Sequence, residues 1–185
     1  MNIIEVIIRC ILSYIFISSA ITKLFNYDEH VRIVKNYKLT PRKFIQFIGF
    51  ILTVLILSEI FTGALFLINQ WANLASFMCL GLLILYTLAI IANLLRNRVD
   101  ISCGCGGILG NHNISWSLVV RNFVLVILAV LLISGSLKIT NISLLSLDIY
   151  VSTIILTYIS MFIYNCCLNI LAINKKVKML KETTQ

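Results

Sequence analysis

Two cysteines stand one residue apart in Cys103-Gly104-Cys105, and Gly106 and Gly107 follow directly. The thiolate is the reactive form of cysteine, for disulfide exchange and for metal binding alike. The glycines give the backbone freedom for both sulfurs to meet one partner. That partner is a disulfide, a thiol protein or a soft metal. A disulfide closed across a single residue is strained, and strained disulfides are more oxidising and more labile. The pair therefore suits exchange better than passive stapling. Arg96 and Arg98 on one side and Arg121 on the other bring positive charge, which favours the thiolate, while Asp100 opposes it. His112 is the only other soft ligand in the loop. Cys103, Cys105 and His112 make only a weak zinc or copper set, because no CxxC pair or second nearby histidine supports it. No metal is assigned, no cofactor is assigned, and no quinone-site pattern is legible.

Four further thiols are second candidates. Cys10 and Cys79 lie toward one leaflet, and Cys166 and Cys167 toward the other, with Cys103 and Cys105. Two groups on opposite leaflets could relay a disulfide across the membrane. The plainer reading is that free cysteine packs as a small hydrophobe.

These residues sit in a chain of 185 residues that is 60% hydrophobic and 12% charged. Soluble domains are nearer about 25% charged. The expected fold is therefore all-α, a polytopic helical bundle in the lipid bilayer. A hydrocarbon core about 30 Å thick needs roughly 20 helical residues. Five stretches qualify, at about residues 3–21, 44–68, 73–95, 117–137 and 147–173. The first carries Glu5 where a signal peptide would be basic, so it reads as a retained span.

The net charge of +8 is no nucleic-acid signal, because the basic residues lie between and after the apolar spans. They also set an orientation. Lys23, Arg32, Lys35, Lys38, Arg42, Lys43, Arg96, Arg98, Lys175, Lys176, Lys178 and Lys181 fall on one side, and Lys138 alone on the other. The positive-inside rule then predicts a multi-pass cell-membrane protein with its N-terminus outside and its C-terminus inside. The cysteine loop would face the cytoplasm.

Between the first two spans, Leu24, Tyr27, Val31 and Val34 recur at helical spacing among charged residues. This predicts a short amphipathic helix in the headgroup region, with His30 interfacial. Trp71 and Trp116 fall at span edges, where membrane aromatics sit. Two charges fall inside spans, Arg9 and Glu59. Such charges need partners, and similar depths predict a buried Arg9–Glu59 ion pair.

The order of these features resembles the DoxX-like membrane family. Arg9, then Lys23 closing the first span, then Tyr37-Lys38-Leu39-Thr40-Pro41 and a second span with Glu59 and Gly63, carry the likeness. Cys103-Gly104-Cys105, Trp116 and Arg121-Asn122 are similar to its MauE branch. Gly106 stands where that pattern reads Phe. The resemblance covers residues 5–137. It implies a redox-associated bundle that serves the processing, export or disulfide maturation of a partner polypeptide, as in methylamine dehydrogenase assembly, beside a thioredoxin-like protein.

Three units are expected: a four-helix domain over 1–137, a further span over 138–173 and a basic tail over 174–185. The preferred reading is a membrane thiol-disulfide redox protein. Cys103 and Cys105 would exchange, and Gly104, Gly106, Gly107 and Arg121 would support the loop. One alternative is a non-enzymatic membrane chaperone or immunity-type partner of an exported peptide. Another is a carrier of a soft metal.

Overall fold

The computed structural model describes residues 3–37, 46–96, 115–134 and 147–183. A backbone N–H or C=O left unpaired in hydrocarbon is costly, so apolar spans close their hydrogen bonds internally as helices. The apolar stretches do so here. The helices are α1 (Ile3–Phe25), α2 (Tyr27–Tyr37), α3 (Ile48–Leu67), α4 (Ala72–Leu95), α5 (Trp116–Ser134) and α6 (Leu147–Thr183). All but α2 contain a stretch long and apolar enough to cross a membrane. No strand occurs among the described residues.

The bundle is built around α1, which packs on α3, α5 and α6, while α3 packs on α4 and α4 on α5. A single 3₁₀ turn, Asn69–Trp71, reverses the chain between α3 and α4. The main core joins Leu12 and Phe16 of α1, Leu65 and Phe66 of α3, Cys79 and Leu83 of α4 and Leu125 of α5. The large apolar residues Phe50, Leu57, Leu88, Phe123 and Phe162 point outward, as a lipid-facing surface requires.

Small residues bring α1 and α3 together, the usual device where lipid offers no hydrophobic drive between helices. A Cβ on Gly63 would lie 2.6 Å from Ile17 Cγ1 and 3.3 Å from the Ser13 carbonyl. Ser13 Oγ donates to the Gly63 carbonyl at 2.7 Å. It also meets the Tyr158 hydroxyl of α6 at 2.7 Å. Tyr150 of α6 donates to the Leu67 carbonyl at 2.8 Å. These contacts fasten α6, whose spanning stretch Tyr150–Leu168 is only 6% buried.

The amphipathic segment forms α2, and its apolar side is docked on protein. Tyr27, Val31 and Val34 pack against Ala20, Leu52 and Ile56. Ile33 and Tyr37 pack against Ile90 and Leu94 of α4 and Leu118 of α5. Helix α2 thus closes one end of the bundle. The expectation for His30 is corrected by this docking: the side chain is buried rather than interfacial. It lies one turn from Val34 and Ile33, on the stripe that meets the bundle.

Burial pushes the Tyr37 phenol up from 10.0 to about 12. A phenol that ionises later in the fold than in the unfolded chain favours the fold below its unfolded pKa. That contribution is intact below about pH 10 and is lost as the pH climbs toward 12. The thermal midpoint of detergent-purified protein should therefore fall between pH 10 and 12. Tyr37→Phe should flatten part of that fall, and an unchanged profile would remove Tyr37 as its cause.

Candidate functional site

Cys103, Gly104, Cys105, Gly106, Gly107 and His112 lie outside the described residues. Their two tethers are described. Helix α4 ends at Leu95 and α5 begins at Trp116. Leu94 and Leu118, one and two residues inside those ends, share a cluster with Ile33 and Tyr37 of α2. The loop is therefore tethered at the end of the bundle that α2 closes.

Inside that end, polar side chains converge on Glu59, which is 1% exposed. Lys23 Nζ forms an ion pair with Glu59 Oε1. Tyr86 donates its hydroxyl to the same oxygen at 2.6 Å, and Ser19 Oγ reaches it at 3.5 Å. The Lys23 ammonium also lies 4.8 Å from the centre of the Tyr86 ring, a cation–π arrangement. Three elements thus contribute: α1 with Ser19 and Lys23, α3 with Glu59, and α4 with Tyr86. The second carboxylate oxygen, Oε2, is buried and has no hydrogen-bond partner among the described residues.

This geometry corrects the expected Arg9–Glu59 pair. Arg9 Nη2 instead pairs with Glu5 Oε1, one turn earlier on its own helix. The reason is register. Helices α1 and α3 run antiparallel with Ser13 level with Gly63 and Ser19 level with Glu59. Arg9 is ten residues from Ser19, about 15 Å along the axis at 1.5 Å per residue. Lys23 lies one turn beyond Ser19, and its long side chain covers that distance. Equal depth counted from the outer ends of the two spans does not make two residues level, because the ends themselves are not level: the Ser13–Gly63 register sets Arg9 beside Leu67, the last residue of α3, eight residues from Glu59.

Glu59 and Lys23 border a cavity of about 280 Å³. Most of its wall is aliphatic or aromatic, from Phe16, Leu52, Leu83 and Ile90 among others. Ser19, His30, Tyr86, Arg121 and Asn122 add polar groups. His30 is 2% exposed. Its Nδ1 donates to the Asn26 carbonyl at 2.9 Å. That bond leaves the lone pair on Nε2, which is buried without a partner among the described residues. Asn122 donates to Thr87 Oγ1 at 3.3 Å. Arg121, expected to support the thiol loop, is here a wall residue of the cavity, on the first turns of α5.

The remaining thiols separate by environment. Cys10 and Cys79 are buried in the bundle, and Cys166 and Cys167 are exposed on α6. The described cysteines are all free thiols. Among the described residues no group of three or more His, Cys, Asp or Glu could hold a metal ion.

Sequence reasoning singled out Glu59 and Arg121 but missed Ser19, Lys23, His30 and Tyr86 as its neighbours. A signal existed for His30, which shares the helical stripe of Tyr27, Val34 and Tyr37. Lys23 was legible as an orienting charge and as the residue closing the first span, but its place at the far end of that span from Arg9 spoke against it as the partner of Glu59. Nothing local distinguishes Tyr86.

A family profile described as methylamine utilisation protein MauE matches residues 1–135, which takes in α1 through α5. The chain is 29% identical over 128 residues to the methylamine utilization protein MauE of Paracoccus denitrificans, covering 69% of this chain and 67% of that protein. It is 32% identical over 122 residues to the protein of the same name from Paracoccus versutus, covering 66% of this chain and 64% of that protein. No solved structure matches the chain.

The register generates a double-mutant test. Lys23→Met strands a buried carboxylate, and Glu59→Gln leaves the ammonium without its counter-charge, so each should lower folded yield and thermal midpoint. Breaking one side of a buried pair costs roughly 3–5 kcal/mol, and removing both sides costs less. Lys23→Met/Glu59→Gln should therefore recover part of the loss, whereas Arg9→Met/Glu59→Gln should be additive. Recovery in the second pair and not the first would overturn the assigned pairing.

Proposed function

The chain belongs to the methylamine utilisation protein MauE family, and from that premise we propose that it is a thiol-disulfide redox protein of the cell membrane. It acts on a thioredoxin-like protein or an exported polypeptide, and supports that partner's maturation, disulfide status or export. Cys103 and Cys105 are the exchanging pair. The relatives' role in methylamine utilisation, as their names give it, supplies the setting.

The observation that carries the reading is the paired thiol in Cys103-Gly104-Cys105, tethered at a rigid end of the bundle by the cluster of Leu94, Leu118, Ile33 and Tyr37. Packed flanking helices and a glycine-rich sequence between them suit two sulfurs that must meet one docking protein. In the exchange, a partner thiolate attacks one sulfur of the Cys103–Cys105 disulfide and the other sulfur leaves as thiolate. The partner's second thiol then resolves the mixed disulfide. Two electrons and two protons pass from the partner's dithiol to the pair, and no further reactant is consumed. The strain of a ring closed across one residue drives the transfer in this direction.

Oxidised, purified protein should therefore transfer its disulfide stoichiometrically to a reduced thioredoxin-class protein, read by thiol alkylation and mass spectrometry. Cys103→Ser/Cys105→Ser should abolish the transfer. An equally active double variant, or a wild-type pair that stays reduced under a diamide oxidant, would overturn the assignment. Zinc or copper bound stoichiometrically by the wild type and lost in the double variant would instead support a metal carrier.

The orientation that accompanies this reading has the N-terminus outside and the C-terminus inside, from the twelve-to-one distribution of basic residues. A protease site appended after Gln185 should be protected in intact cells, and one placed before Met1 should be cut. Cleavage of the C-terminal site would reverse the orientation and put the cysteine loop outside.

A further inference from the structure

The cavity beside Glu59 has a wall chemistry that the thiol reading does not use. Two of its groups are buried hydrogen-bond acceptors without partners among the described residues, Glu59 Oε2 and His30 Nε2. Glu59 Oε1 takes Lys23, Tyr86 and Ser19. Bound to an ammonium, the carboxylate can only accept. In the neutral imidazole, the bond from His30 Nδ1–H to Asn26 makes Nε2 an acceptor as well. A buried acceptor left unmatched is costly in a low-dielectric interior. Anything that fills this space favourably must bring O–H or N–H donors.

Three further observations narrow the occupant. The remaining wall is mostly apolar and includes the rings of Phe16, Tyr37 and Tyr86, which suits a flat apolar body. The volume of about 280 Å³ holds one substituted ring but not a long chain. The lining also reaches Ile51 and Leu85, which are 40% and 49% exposed on the lipid-facing surface. A chain attached to the ring can leave that way, and the ligand can enter that way from the bilayer.

We propose that this cavity binds the head of a lipid-soluble aromatic diol of the hydroquinone class, whose hydroxyls donate to Glu59 Oε2 and His30 Nε2. Small cavities with an apolar wall and a few convergent polar groups are the usual form of a ligand site. Here the two unmatched acceptors, Glu59 Oε2 and His30 Nε2, favour the diol over its ether, which brings no donor. The proposal concerns binding alone and does not rest on the exchange reaction.

The test is equilibrium binding of a short-chain alkyl hydroquinone to the full-length protein in lipid nanodiscs under reducing conditions. Its dimethyl ether is the comparison, since it keeps the ring and loses both donors. The diol should bind at least about tenfold more tightly than the ether, the scale expected for hydrogen bonds to a charged acceptor. His30→Phe removes one acceptor and keeps a ring, and should narrow that ratio. Ala89→Phe fills the cavity from the α4 wall and should abolish binding of both compounds. Thermal melting of each variant confirms that it is folded, and the Ala89 and His30 variants leave the Lys23–Glu59 pair in place. Equal binding of diol and ether, or binding unchanged by both variants, would overturn the proposal. So would no binding to folded wild type, which would leave the cavity to water. The Cys103→Ser/Cys105→Ser variant should bind as wild type does, so the two proposals succeed or fail separately.

Discussion

The fold depends on the Glu59 carboxylate and how it is neutralised. A charge inside a bilayer must find a partner or be excluded. Here the partner is Lys23, and the pairing sets the axial register of α1 against α3. Ser13 and Gly63 fit at that register, with a glycine where any side chain would collide with Ile17. Tyr86 extends the constraint to α4 through its hydroxyl. The same three helices, with α2 and α5, line the cavity. Electrostatics chooses the register and small-residue packing fixes it.

Most other polar side chains in the bundle ask nothing of their neighbours. Thr62, Ser76 and Thr157 each return a hydroxyl to a carbonyl four residues earlier in the same helix. This local bond is available to Ser and Thr in any helix. It lets a membrane helix carry hydroxyls without demanding a tertiary partner. Among the described residues, those whose polar groups reach another helix include Ser13, Ser19, Lys23, Tyr27, Glu59, Tyr86, Asn122, and the two tyrosines that fasten α6.

The architecture was legible in the sequence because it follows from span length and apolar composition, which are averaged over many residues. Five spans and the amphipathic α2 emerge from that averaging. The Lys23–Glu59 pair does not, because it depends on how far the end of α1 projects past the end of α3, which neither span shows by itself. Equal depth from the outer ends pointed to Arg9, whereas the register fixed by Ser13 and Gly63 brings Lys23 to Glu59. The burial of His30 was hidden for another reason. Its helical stripe was visible, but whether the stripe meets lipid or protein depends on Ile90, Leu94 and Leu118, far away in sequence. The thiol pair was legible from composition alone, since Cys-Gly-Cys in a polar loop needs no tertiary context to be noticed.

The two ion pairs differ in where along the chain their members lie. Glu5 and Arg9 are one turn apart on α1, so those two charges enter the bilayer already matched. Glu59 has no counter-charge on α3, and its lysine lies 36 residues earlier. A chain threaded into the membrane from its N-terminus therefore has the ammonium in place before the carboxylate emerges from the ribosome. The acidic helix arrives to a waiting cation, and the order of synthesis itself keeps an unaccompanied carboxylate out of the lipid.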